Sequence, residues 1–139
     1  MDLAAAEAAT APVRLADYRP TSHRVTGVDL AFDLDPKGTT VTVTTGFVRR
    51  DETAPATPLV LDGDEVTLVS VALDGVALAP EAYRASPQGF ELPAPPEGEF
   101  RLTVVTRVDA AANTKLMGLY RSSGNWCTQC EAEGFRRIT

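Results

Sequence analysis

The sequence predicts an all-β fold, an antiparallel saddle-like β-sandwich, and three observations carry that reading. Apolar residues recur at every second position in several short runs. Turn-forming clusters of Pro, Gly and Asp separate those runs. No stretch of ten residues carries the spacing of a convincing helix. At 139 residues the chain can bury about two-thirds of its unfolded surface, enough for one core and too little for two.

The elements follow in order. Residues 1–16 read as a flexible, Ala-rich leader in which Pro12 stops any helix early, and residues 17–139 as one β domain. Val28, Leu30, Phe32 and Leu34 alternate with Asp29, Ala31 and Asp33, the pattern of a half-buried strand. Asp35-Pro36-Lys37-Gly38 then favours a tight turn. Val41, Val43, Thr45 and Phe47 alternate beyond it, so the two runs make a hairpin. After a polar connection containing Pro55, Pro58-Leu59-Val60-Leu61 is a short strand opened by proline.

Val66 and Leu68 have one parity, whereas Val69, Val71 and Leu73 have the other; a β-bulge near Leu68 restores the register. Asp74-Gly75 is a hairpin turn before Val76 to Leu78, and Tyr83 to Leu92 holds a strand around Phe90. The stiff turn Ala94-Pro95-Pro96-Glu97-Gly98 leads into the clearest strand, in which Phe100, Leu102, Val104, Thr106 and Val108 alternate with Arg101, Thr103, Val105 and Arg107. Ala110 to Tyr120 is small and polar, and Ser122-Ser123-Gly124-Asn125 reads as a loop.

Composition narrows the function. A chain with 44% hydrophobic residues is not a disordered polyelectrolyte, and none of its apolar runs approaches the roughly 20 residues of a membrane helix. With 19 acidic against 13 basic residues and a net charge of -6, it lacks the basic excess that binds phosphate backbones. The reading is therefore no nucleic-acid partner and no membrane partner. Two closely spaced cysteines do not make a disulfide framework, and Asp2 and Glu7 interrupt the leader where a signal peptide would be basic and then apolar. A cytoplasmic location is expected.

Few motifs carry chemistry. Cys127-Thr128-Gln129-Cys130 has the spacing of a redox pair or half a zinc site. No βαβ pattern supports the first reading, and with His23 as the chain's one histidine the four ligands of a structural zinc are missing. Small, semi-buried thiols near a turn are the simpler account. His23 has no acidic or thiol neighbour in sequence and reads as a surface or hydrogen-bonded histidine, and Trp126 as an anchor for its loop. Glu131 and Glu133, two apart, would project from one face of an extended segment. They form either a solvated edge or an anionic pocket for a cation. Arg136 and Arg137 would lie on opposite faces of that strand, in salt bridges or at the surface. No catalytic motif occurs.

The string Cys127-Thr128-Gln129-Cys130-Glu131-Ala132-Glu133-Gly134-Phe135-Arg136, preceded by Asn113-Thr114 and Gly118-Leu119-Tyr120, resembles the end of the N-terminal domain of the bacterial zinc aminopeptidase N family. Upstream, Tyr18-Arg19-Pro20, the run from Val28 to Asp35, Pro58 to Leu61 and Leu68 to Val71 follow the family's order and spacing. The resemblance covers Asp17 to Thr139, and it implies a saddle of β-strands packed on a thermolysin-like catalytic domain. It also implies that Glu131 clamps the free α-amino group of a peptide and that Gln129 lines the pocket for its first side chain. Cys127, Cys130 and Glu133 would support them with no metal role.

The zinc ion, its H-E-x-x-H ligands and the G-A-M-E-N segment lie beyond this chain in that family. The expected function is thus the amine-recognising fragment of a zinc metallo-aminopeptidase, inactive alone. Its partners would be peptides with a free N-terminus and the absent catalytic domain. The alternative is a free-standing, non-catalytic β-sandwich that binds a partner.

Overall fold

The computed structural model describes residues 11–139. Ten strands occur among them: β1 (His23–Asp33), β2 (Thr39–Arg49), β3 (Leu59–Asp62), β4 (Thr67–Leu73), β5 (Val76–Ala77), β6 (Arg84–Ser86), β7 (Gly89–Leu92), β8 (Phe100–Val108), β9 (Gly118–Ser122) and β10 (Asn125–Gln129). Helical structure among the described residues is limited to three short 3-10 turns, at Leu15–Asp17, Pro80–Ala82 and Gly134–Arg137. All strand pairs are antiparallel. A five-stranded sheet in the order β1-β2-β8-β4-β5 packs against a three-stranded sheet, β3-β7-β6, and β9 and β10 form a separate hairpin.

Local sequence explains the pairings. The β1–β2 hairpin closes through the turn predicted at Asp35: Gly38 donates its N–H to the Asp35 carbonyl at 3.2 Å, and Lys37 donates to Asp35 Oδ1 at 2.9 Å. The bulge predicted near Leu68 is present, because Leu68 and Ser70 pair with the adjacent residues Thr106 and Val105. Val69 is the extra residue and points outward. Asp74 and Gly75 both have positive φ, 48° and 81°, as the two-residue turn joining β4 to β5 requires.

The longest alternating run became the central strand. Along β8, Phe100, Leu102, Thr106 and Val108 are buried while Arg101 and Arg107 are exposed. Phe100 and Leu102 join Phe47, Leu59, Val71, Phe90 and Leu92 in the core between the two sheets. A second core, formed by Val41, Val43, Val108, Ala110, Leu119 and Ile138, lies where β9 and the C-terminal 3-10 turn close onto β2 and β8.

Residues 1–10 of the predicted leader lie outside the described residues, while residues 11–16 are exposed. Val28, Leu30, Phe32 and Leu34 are 49, 43, 42 and 50% exposed, so β1 is not half-buried. It is an edge strand, and the core-forming residues of the opposite sheet lie over β2, β8 and β4 instead. The uncovered face opens a groove of about 790 Å³ lined by Val25, Val28, Val43, Phe47, Leu102 and Phe135 among others. The segment read as a loop at Ser122 to Asn125 is a hairpin turn between β9 and β10.

His23 is hydrogen-bonded, as one sequence reading held, but it is not at the surface. The residue is 3% exposed, its Nδ1 lies 2.8 Å from Ser22 Oγ, and its ring meets Phe100 edge-on at 5.9 Å. Burial first, and the charge of Arg49 second, hold its pKa below the ordinary 6.5. The unfolded chain therefore binds more protons than the folded one as pH falls below 6.5. The stabilisation from a neutral, buried His23 is complete above that pH and is lost as pH falls toward the folded-state pKa. Urea midpoints of the wild type should drop between pH 7.5 and 5, and the drop should be smaller in His23→Gln. Parallel pH profiles would show that His23 is not the titrating group.

Candidate functional site

The β9–β10 hairpin places the residues singled out in the sequence. Asn125 pairs with Ser122 and Gln129 with Gly118, and the intervening Ser123 and Gly124 have φ of 49° and 82°, the conformation that matches strand twist. β10 ends at Gln129. The chain then turns through Glu131 to Glu133 and enters the 3-10 turn Gly134–Arg137, with Gly134 donating its N–H to the Cys130 carbonyl at 3.1 Å.

This geometry corrects the extended reading of the segment. Glu131 and Glu133 stand on a tight turn rather than on one face of a strand, and Arg136 and Arg137 belong to a 3-10 turn. Glu133 lies 3.6 Å from Arg136 Nη2, which also reaches Asp62 Oδ2 at 3.3 Å. Among the described residues the side chains of Glu131 and Gln129 make neither an ion pair nor a hydrogen bond, and both residues are exposed. Glu133 is thus within ion-pair distance of Arg136, whereas Glu131 has no such partner among the described residues.

Two glycines set the ends of this turn. A Cβ on Gly134 would stand 2.1 Å from the Gln129 carbonyl oxygen and 3.0 Å from the Gly118 nitrogen. Gly118 has φ of +73°, and a Cβ there would lie 2.7 Å from Arg137 Cβ. Only residues without side chains admit such close backbone approach.

Arg137 anchors the far end. Its side chain is 6% exposed, and it donates from Nη1 to Asp64 Oδ2 at 2.7 Å and from Nη2 to Glu65 Oε2 at 2.8 Å. Glu65 Oε1 accepts from Lys115 Nζ at 2.9 Å. Hydrogen bonds from Lys115 and Arg137 hold the Glu65 carboxyl down to about 2. Sequence reasoning left Arg137 between a salt bridge and a surface position; the residue is buried and ion-paired, and its partners were not found from the sequence. The signal was the acidic run Asp62-Gly63-Asp64-Glu65, complementary to Arg136-Arg137.

The other singled-out residues play supporting parts. Cys127 and Cys130 are free thiols of intermediate exposure, and Trp126 and Cys130 pack against the second core. The Arg121 guanidinium lies 4.6 Å from the Trp126 ring centroid. Among the described residues no three His, Cys, Asp or Glu side chains gather as a metal site, so the residues present do not fit zinc. Gln129 and Glu131, two positions apart in the chain, are both solvent-exposed.

No protein-family model matches the chain. Individual relatives do. It is 44% identical over 127 residues to aminopeptidase N of Caulobacter vibrioides and 41% identical over 123 residues to aminopeptidase N of Escherichia coli. These alignments cover 91 and 88% of this chain but only 14% of each relative. Legionella pneumophila aminopeptidase A, solved in complex with aspartic acid, superposes with a TM-score of 0.80 at 28% identity, covering 91% of this chain and 15% of that one. An M1 zinc metallopeptidase from Deinococcus radiodurans, solved with a Tyr-Ser-Ala substrate, shares the fold with a TM-score of 0.66 at 19% identity, over 85% of this chain and 28% of that one. Along nearly its whole length the chain matches the N-terminal domain of aminopeptidase N relatives.

Proposed function

We propose that this chain is the N-terminal, amine-recognising part of a zinc metallo-aminopeptidase that releases N-terminal amino acids from peptides. Glu131 would accept hydrogen bonds from the substrate α-ammonium, and Gln129, two residues earlier at the end of β10, would face the first side chain. The observation that carries this reading is the division of the two glutamates: Glu133 pairs with Arg136, whereas Glu131 has no ion-pair partner among the described residues. An ammonium held at a fixed distance from the reacting centre leaves room for one residue before the scissile bond. The clamp would therefore set the register of the cut.

The bond-breaking apparatus would belong to the rest of the protein. The chain spans 14% of the relatives it matches, and the apolar groove beside β1 supports a larger molecule, because exposed apolar faces of this kind are ordinarily covered. Residues 17–139 would form the domain that packs on the catalytic unit, where zinc would be bound, and the fragment alone would be inactive.

In the intact protein Glu131→Gln is expected to raise KM for free-amine peptides about ten- to a hundredfold, the worth of one hydrogen bond to a charged group, and to lower kcat less. Steady-state kinetics on several dipeptide and tripeptide substrates measure this. Unchanged constants on all of them would remove Glu131 from the site. An intact protein that binds no zinc and cleaves no peptide would favour the non-catalytic module.

A further inference from the structure

We propose that Arg137 is a positioning residue for the amine site, acting through Glu131 by fixing the turn that carries it. This deepens the aminopeptidase reading and rests on it. The turn bearing Glu131 has two ends. The first is Gln129, held by pairing with Gly118 at the start of β9. The second is the 3-10 turn Gly134–Arg137, and Arg137 ties it to a segment more than seventy residues earlier in the chain through Asp64 and Glu65.

The two ends share parts. Gly118, which pairs with Gln129, lies directly against Arg137, since a Cβ on Gly118 would come within 2.7 Å of Arg137 Cβ and 3.0 Å of the Gly134 carbonyl oxygen. Gly134 in turn abuts the Gln129 carbonyl. Asp64 donates its N–H to the Arg136 carbonyl at 2.8 Å, which fixes the backbone beside the anchored side chain. Glu65 bridges Arg137 and Lys115, so the β8–β9 connection is bound into the same network. Moving the Arg137 backbone thus moves Gly118 and Gly134 together, and with them both ends of the Glu131 turn.

Arg137 is suited to this role and to no direct one. Its guanidinium is almost wholly buried and its two outer nitrogens are occupied by carboxylates. A planar fork can bond two separate acids at once, which a lysine ammonium on a flexible stem does with less geometric definition. Glu131 stands exposed on the turn that this fork secures.

The test is a double-mutant cycle in the intact aminopeptidase, reading KM and kcat on a free-amine peptide for the wild type, Arg137→Met, Glu131→Gln and the double variant. Arg137→Met is expected to raise KM about tenfold in the wild-type background and less than about twofold in the Glu131→Gln background, because coupled residues are non-additive. Arg137→Lys should recover part of the loss. An equal penalty in both backgrounds, or an unchanged KM, overturns the positioning role while leaving the amine site intact. If Glu131→Gln itself changes nothing, the amine reading fails first and this inference falls with it. Should Arg137→Met not fold, Asp64→Asn combined with Glu65→Gln removes the same ion pairs from two partly exposed positions, and the same cycle applies to it.

Discussion

Phe100→Ala is expected to lower folding stability by about 3–5 kcal/mol, the range for truncating a fully buried aromatic. Phe100 is 1% exposed and opens β8, the strand that joins β2 to β4 in the larger sheet. Its ring lies 5.8 Å from that of Phe47 at a 33° tilt and meets His23 edge-on. Such aromatic pairs contribute about 0.5–1.5 kcal/mol beyond the area they bury. The cavity left by the substitution would border His23, whose pKa is lowered chiefly by burial. A second signature follows: in Phe100→Ala the His23 pKa should move back toward 6.5 and the acid-side loss of stability should flatten. Urea denaturation at two pH values reads both effects. A loss below about 1 kcal/mol would mean that the inter-sheet core collapses around the missing ring.

The sequence disclosed most where parity and turn chemistry agree. The alternation in Phe100 to Val108 predicted the central strand, and the change of parity between Leu68 and Val69 predicted a bulge that is present at Val69. Parity assigns residues to a face, but it does not say whether anything covers that face. Val28, Leu30 and Phe32 lie opposite Thr45, Val43 and Val41 on the inner face, yet they remain exposed because β1 is at the sheet edge. The β9–β10 hairpin escaped notice because Gly118 to Ser122 does not alternate and its turn is Ser-Gly, weaker than Asn-Gly. Around the site, spacing alone misled: two glutamates two apart suggested a strand face, whereas Gly134 and the 3-10 turn fold the segment back. The roles proposed for Glu131 and Gln129 rest on family resemblance and on no local pattern. The partners of Arg137 lie 72 and 73 residues away, a separation that no local pattern spans.

Gly134→Ala is the substitution expected to join loss of stability to loss of the site. Its Cβ would meet the Gln129 carbonyl oxygen at 2.1 Å, with the Gln129 carbonyl carbon and the Gly118 nitrogen both at 3.0 Å. All three are backbone atoms, so no side-chain rotation relieves the overlap. Either β10 separates from β9 at the Gln129–Gly118 pair, or the Cys130 to Gly134 turn opens and gives up its 3.1 Å hydrogen bond. Overpacking of this kind costs about 3 kcal/mol, and here the strain falls on the residue that precedes Glu131 by two positions. Gly98→Ala is the matched control, because a Cβ there meets nothing within 4 Å. Denaturant midpoints should separate the two variants, and amide hydrogen exchange should rise in residues 127–136 of Gly134→Ala alone. Equal midpoints and unchanged exchange would mean that the turn tolerates a side chain at this point. Glu131 would then be held by the Arg137 anchor without the glycine contact, and the two supports of the turn would be separable.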